Sequence, residues 1–207
     1  MSVQKIFEAV LDFDKEAVVV LVKKEIAKGT DVANILNQGL IGAMDEVGRQ
    51  FTAGDLFVPE MLMAAQTMKA GLDELKPYLA KGDTGTKGRV IIGTVKGDLH
   101  DIGKNLVAMM MEGSGFEVFD IGMDVDSETF LAAAQEKNAG IIAMSALLTT
   151  TMPAMEAVIK AIQAKGLKFK TIIGGAPVTP AFAQQIGADA YCEDAPAAVE
   201  AARKLLA

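Results

Sequence analysis

At 207 residues the chain suits one large domain or two small ones, and with 51% hydrophobic residues it has ample material for buried cores. The net charge of −7 is spread along the chain, with nine of the 20 basic and 12 of the 27 acidic residues before position 83; no basic stripe is available to neutralise phosphates, which argues against nucleic acid as a partner. A single cysteine, Cys192, excludes an internal disulfide framework and fits a reducing, cytoplasmic compartment, and neither a signal segment nor an apolar run of about 18 residues points to a membrane.

Tryptophan is absent, so the core has to come from Ala, Val, Ile, Leu and the 12 methionines. Residues 1–80 read as helix throughout. A short segment before Asp12 is followed by Asp14, which can cap Lys15 to Lys28. Within that segment Ala17, Val18, Leu21, Val22 and Ile26 recur at helical spacing, and Gly29 stops it. Thr30 or Asp31 starts a second long segment with Ile35, Leu36, Leu40, Ile41, Met44 and Val47 on one stripe, ending near Phe51-Thr52-Ala53-Gly54. Pro59 suits the first turn of a third helix through Met61, Leu62, Ala65, Met68 and Leu72 towards Leu75, with Glu60 as a first-turn acid favoured by the helix dipole. Short turns between such helices predict an antiparallel bundle.

Residues 81–88, Lys-Gly-Asp-Thr-Gly-Thr-Lys-Gly, are polar and glycine-rich. They predict a bundle domain over 1–82, a linker at 83–88 and a second domain over 89–207. In the second domain the pattern becomes strand, loop, helix, repeated. Strands are predicted at 89–95, 116–121, 140–145, 169–174 and 188–192, and helices at 102–113, 127–138, 152–165, 179–186 and 195–206. Short apolar strands alternating with amphipathic helices predict an α/β domain, a doubly wound five-stranded parallel sheet of the flavodoxin or Rossmann type.

In such a sheet the C-terminal strand ends share one edge, where ligands bind. After the first strand comes Asp98-Leu99-His100-Asp101-Ile102-Gly103, holding the only histidine in the chain. After the third comes Ser145-Ala146-Leu147-Leu148-Thr149-Thr150-Thr151, and after the fourth Gly174-Gly175-Ala176-Pro177. With a strand order of 2-1-3-4-5 these three loops converge on one crevice. Read singly, the Ser-Thr cluster suits helix capping and Gly-Gly a turn. No P-loop or dinucleotide fingerprint is present, and without a second histidine or a cysteine pair no conventional zinc site can form. A metal on the His100 imidazole would need its other ligands from a macrocycle.

The series Asp98-x-His100-x-x-Gly103, Ser145-x-Leu147 and Gly174-Gly175 resembles the signature of cobalamin-binding proteins of the base-off, His-on type. With the bundle ending in Phe51-Thr52-Ala53-Gly54-Asp55-Leu56-Phe57-Val58-Pro59-Glu60-Met61, the whole chain is similar to the corrinoid proteins of methyltransferase systems and to the cobalamin-binding module of methionine synthase. That resemblance implies a corrinoid cofactor with His100 as the lower axial ligand to cobalt. Asp98 would accept a hydrogen bond from the other ring nitrogen, and Ser145 would hydrogen-bond Asp98. It further implies that Leu99, Asp101, Ile102, Gly103, Leu147, Thr149, Gly174 and Gly175 line the site and a cleft for the displaced nucleotide tail. The bundle would cap the methyl-carrying face, with Met44, Met61, Met63 and Met68 either a flexible apolar lid or ordinary bundle core, and the linker would let it swing away.

The function so implied is a methyl carrier without stand-alone turnover. A substrate:corrinoid methyltransferase serving an amine, methanol or a methoxylated aromatic would charge it. A second methyltransferase would discharge it to tetrahydrofolate or a thiol, with a reductive activator of inactive cobalt as a third partner. The alternatives are a cobalamin-dependent sensor, which would carry a DNA-binding domain or dock on one, and the cobalamin-binding subunit of a radical mutase, which would need a substrate barrel from another subunit.

Overall fold

A computed structural model describes residues 3–78 and 86–207. They fall into two compact units, one running to Thr86 and taking in Glu112–Gly115, the other made of Lys87–Met111 and Phe116–Ala207. Residues 83–85 of the expected linker lie outside the described residues.

The first unit is helical: α1 (Val3–Leu11), α2 (Lys15–Ala27), α3 (Val32–Asn34), a π-helical segment (Ile35–Ile41), α4 (Gly42–Ala53), α5 (Val58–Leu75) and a 3₁₀ turn (Lys76–Tyr78). Asp14 accepts a hydrogen bond from Ala17 N at 2.9 Å and so caps α2, while Gly54, at φ +82°, ends α4 in the left-handed conformation. The stretch expected as one long α-helix is therefore interrupted. Its wider central turn, marked by a Gly42 N–H donated to Asn37 O, buries Ile35, Leu36, Gly39, Leu40 and Ile41 together. α5 runs close to α2 because residue 71 is glycine: a Cβ there would lie 2.7 Å from Val18 Cγ1 and 2.9 Å from Leu40 Cδ2. Met44, Met61 and Met68 are wholly buried core, so of the four methionines expected as a lid only Met63 is exposed. The Glu60 carboxylate accepts the Phe57 N–H at 2.8 Å, closing the first turn of α5.

The second unit alternates β1 (Arg89–Thr94), α6 (Ile102–Gly113), β2 (Glu117–Asp120), α7 (Ser127–Glu136), β3 (Ile141–Ser145), α8 (Met152–Ala164), β4 (Lys170–Gly174), α9 (Pro180–Ile186), β5 (Ala190–Cys192) and α10 (Ala195–Leu205). The sheet is parallel in the order β2-β1-β3-β4-β5, as the sequence predicts. Ile91, Ile142 and Ile173 in its central strands are fully buried, which explains the continuous rather than alternating apolar runs. Thr94 pairs with Ser145 and Ser145 with Gly174, so β1, β3 and β4 end level and deliver their loops to one edge.

Candidate functional site

The β1–α6 loop turns at Gly97 (φ +83°) and places Asp98 beneath the sheet edge, wholly buried, with the His100 side chain half exposed above it. The Asp98 carboxylate is filled by four donors. Oδ1 accepts from His100 Nδ1 at 2.7 Å and His100 N at 3.1 Å. Oδ2 accepts from Leu147 N and from Thr151 Oγ1, both at 2.7 Å. Burial by itself pushes the Asp98 carboxyl up, but the bonds from Thr151, Leu147 and His100 outweigh it and hold the group well below the usual carboxylate range. Asp98 is therefore ionised at neutral pH and can only accept. His100 Nδ1 must carry the proton, and in the neutral ring Nε2 keeps its lone pair.

Other bonds fix the ring's backbone. Thr94 Oγ1 donates to His100 O at 2.9 Å, and Val95 N to Ser145 O at 3.0 Å. On the β2 side, Asp124 Oδ1 accepts the Gly97 N–H at 2.8 Å and its own N–H donates to Asp98 O at 3.0 Å. The Gly97 bond and then Lys96 keep the Asp124 carboxyl below its ordinary value. Asp101 accepts from Asn105 N at 2.8 Å and from Asn105 Nδ2 at 3.1 Å, starting α6. Lys104, buried in α6, pairs with Asp120 at the end of β2 and donates to Asn105 Oδ1 at 2.6 Å.

Two expectations change here. Among the described residues no hydrogen bond joins Ser145 to Asp98; the hydroxyl on that carboxylate belongs to Thr151, six positions further along the same loop. Gly175 is demanded first by the protein itself: at φ +126° a Cβ would stand 1.9 Å from Ala146 O, in the β3–α8 loop. At Gly174 a Cβ would be 2.8 Å from Cys192 O, and Gly174 O accepts from Ala146 N at 3.2 Å. Gly103 is the opposite case, since a Cβ there meets nothing within 4 Å. Thr149 lies exposed in the β3–α8 loop. Thr151 and Asp124 were missed by sequence reasoning, the first because a Thr cluster before a helix reads as capping. For Asp124 the sequence carried no signal.

The exposed surface of these loops is apolar to an unusual degree: Leu99 is 70% and Ile102 84% exposed, and Met123, Leu147 and Leu148 are also exposed. Among the described residues no three His, Cys, Asp or Glu side chains cluster as metal ligands.

Comparison with known proteins decides what fits. A B12 binding domain family matches residues 88–203, and a second family of the same description matches residues 3–76. The chain belongs to the B12-binding corrinoid proteins. It is 46% identical to dimethylamine corrinoid protein 1 of Methanosarcina acetivorans, over 99% of this chain and 97% of that one. Among solved structures it is similar to a cobalamin-binding protein from Desulfitobacterium hafniense DCB-2, at TM-score 0.83 and 34% identity over 99% of this chain and 98% of the other. It is also similar to a chain of the methanol:cobalamin methyltransferase complex MtaBC from Methanosarcina barkeri, at TM-score 0.89 and 31% identity over 99% of this chain and 79% of that one. The cofactor of this corrinoid protein is cobalamin or a close relative, and the loops suit it. They combine an imidazole of defined tautomer, a collar of exposed apolar side chains and, at Gly103, a helix start with open space where a side chain would be.

Proposed function

We propose that this chain is the methyl-carrying component of a methyltransferase system, holding its corrinoid base-off with His100 Nε2 as the lower axial ligand. The observation that carries this is the four-donor Asp98 carboxylate, which forces Nδ1 to be the protonated nitrogen of a half-exposed ring. The corrinoid supplies a cobalt that can accept a methyl group and give it up again. The chain's own residues do the rest. Asp98 fixes the ring's tautomer, while Thr151 and Leu147 N hold Asp98 in place. Leu99, Ile102 and Leu147 offer apolar surface to the macrocycle. Asp101 starts α6, and Gly103 leaves room beside it. Ser145, Thr149, Gly174 and Gly175 lie on the loops where the displaced nucleotide tail would pass.

A substrate-specific methyltransferase charges the carrier, and a second one discharges it to tetrahydrofolate or a thiol, with a reductive activator restoring oxidised cobalt. The relatives' names direct the search for the methyl donor to methylated amines, and dimethylamine comes first on the 46% identity.

The test is an absorption spectrum of the full chain reconstituted with hydroxocobalamin, beside His100→Ala. The expected result is stoichiometric base-off binding, with imidazole coordination lost in the variant. Benzimidazole still on cobalt in the wild type, or spectra that do not differ, would sink the axial-ligand reading. Methyl loading is then assayed with candidate methyltransferases and mono-, di- and trimethylamine, methanol and a methoxylated aromatic as donors. A carrier that none of them loads would overturn the carrier reading.

A further inference from the structure

The Asp98 carboxylate ties the His100 loop to the β3–α8 side, but the loop is also fastened from the opposite side. There Asp124, in the β2–α7 loop, makes both contacts. Its Oδ1 takes the Gly97 N–H at 2.8 Å, and its own N–H reaches Asp98 O at 3.0 Å. Both contacts fall on the two residues at the turn of the loop, just upstream of the ring. To make them Asp124 adopts φ +56°, a left-handed conformation that is unfavourable for most side-chain-bearing residues and that Asp and Asn tolerate better than most. Lys96 Nζ lies 3.1 Å from the other carboxylate oxygen, on the exposed side.

The Asp98 N–H already donates to Val95 O at 3.1 Å and Thr94 Oγ1 holds His100 O at 2.9 Å, but without Asp124 the Lys96–Gly97 and Asp98–Leu99 peptide units would still be free to rock and carry the ring with them. Pinning the peptide units on either side of the Gly97–Asp98 bond removes that freedom. We infer that Asp124 is a positioning residue for His100: its hydrogen bond to Gly97 N, rather than its ion pair with Lys96, sets where the imidazole stands. The inference rests on the reading of His100 as axial ligand for its purpose, but its geometry can be tested without cobalt.

Because His100 is the chain's one histidine, a long-range ¹H–¹⁵N spectrum of the full chain without corrinoid reads its ring nitrogens free of overlap. Asp124→Gly removes the carboxylate while keeping the left-handed backbone accessible, and Asp124→Ala is the second variant should the glycine not fold. In either, the Nδ1-protonated signature should broaden or shift towards tautomer averaging. On loading with hydroxocobalamin, the ratio of imidazole-bound to imidazole-free cobalt should fall about tenfold, the lower end of what outer-shell partners of metal ligands contribute. Asp124→Asn, which keeps an oxygen acceptor, and Lys96→Ala should both look like wild type.

A wild-type ring spectrum in Asp124→Gly overturns the inference, and so does an equal loss in Lys96→Ala, which would assign the effect to surface charge. If the ring spectrum shifts as expected but wild-type cobalt shows no imidazole coordination, the axial-ligand reading fails and the positioning role stands.

Discussion

Thr151→Val removes one of the four donors to the buried Asp98 carboxylate. In the wild type the Thr151 hydroxyl has two acceptors in reach, Asp98 Oδ2 at 2.7 Å and Leu148 O at 2.9 Å, but a single proton. The ionised carboxylate is the stronger acceptor and takes it. Valine fills the same space and leaves Oδ2 with Leu147 N as its only donor. A hydrogen bond to a buried charge contributes about 1.5–3 kcal/mol, so the loss at pH 7 should be about 2 kcal/mol. At roughly 3 °C per kcal/mol for chains of this size, Tm falls by about 6 °C.

The same reasoning fixes a pH dependence. Asp98 has a folded-state pKa below its unfolded value, so its contribution is present above about pH 4, the unfolded range, and lost as pH falls towards the folded value. Thr151 is part of what depresses that pKa. The unfolded-state titration is common to both chains, so the gap between wild type and Thr151→Val should be full at pH 7 and shrink only as pH falls through the variant's own folded-state range, below the ordinary carboxylate value. Thermal melts of the corrinoid-free chains from pH 7 to pH 2, followed by circular dichroism, measure both effects. A Tm unchanged within about 1 °C at pH 7 refutes the assignment of Thr151 as a donor to a charged group. A gap that already shrinks between pH 7 and pH 5 refutes the lowered position of the Asp98 carboxyl.

Gly175→Ala, with its Cβ aimed at Ala146 O from 1.9 Å and at φ +126°, should cost about 3 kcal/mol or more and is read as a lowered melting point without corrinoid. Gly103→Ala meets no protein atom within 4 Å, so its corrinoid-free melting point should hold or rise by the helix gain of up to about 1 kcal/mol, while spectroscopic titration shows weaker corrinoid binding. Equal corrinoid affinity in that variant would mean that nothing occupies the space beside α6. For Cys192, burial, then the negative charge of Asp194, pushes the thiol up to about 11. Iodoacetamide at pH 8 should therefore label it about 100-fold more slowly in the folded chain than in denaturant, before any steric protection. The stability linked to that raised pKa is present below about pH 9 and lost as pH climbs towards 11, which urea titrations across that range would register.

The sheet was legible because a parallel strand buried on both faces leaves a continuous β-branched run, as at Val90-Ile91-Ile92 and Ile141-Ile142, and intervening amphipathic helices admit few topologies. The strand order then placed the His100, Ser145 and Gly174 loops side by side. The π-helical turn at Ile35–Ile41 was not legible, since a stripe at i, i+4 does not distinguish an α-helix from one with a widened turn. Nor could spacing decide which hydroxyl of the Ser145–Thr151 loop meets Asp98. That depends on the tight turn in which Thr151 N donates to Leu148 O at 3.0 Å, which folds Thr151 back over the carboxylate. Asp124 escaped notice for the same reason: its role comes from a left-handed backbone that Asp adopts without announcing it in the pattern.

The arrangement around Asp98 is costly for a fold that needs only stability. Taking a carboxylate out of water costs several kcal/mol before its hydrogen bonds return anything, and apolar replacements of buried charges are often neutral or stabilising. Here four donors from three residues converge on one wholly buried carboxylate, and what they hold is a ring that is itself half exposed. The ring gains little stability for the fold, being open to solvent. What it does gain is a single tautomer, with the lone pair on Nε2. Neighbouring Leu99 and Ile102 likewise stand in solvent, where they contribute nothing to the core. The proposed seat for a large apolar ring system with a metal at its centre would give both features one purpose.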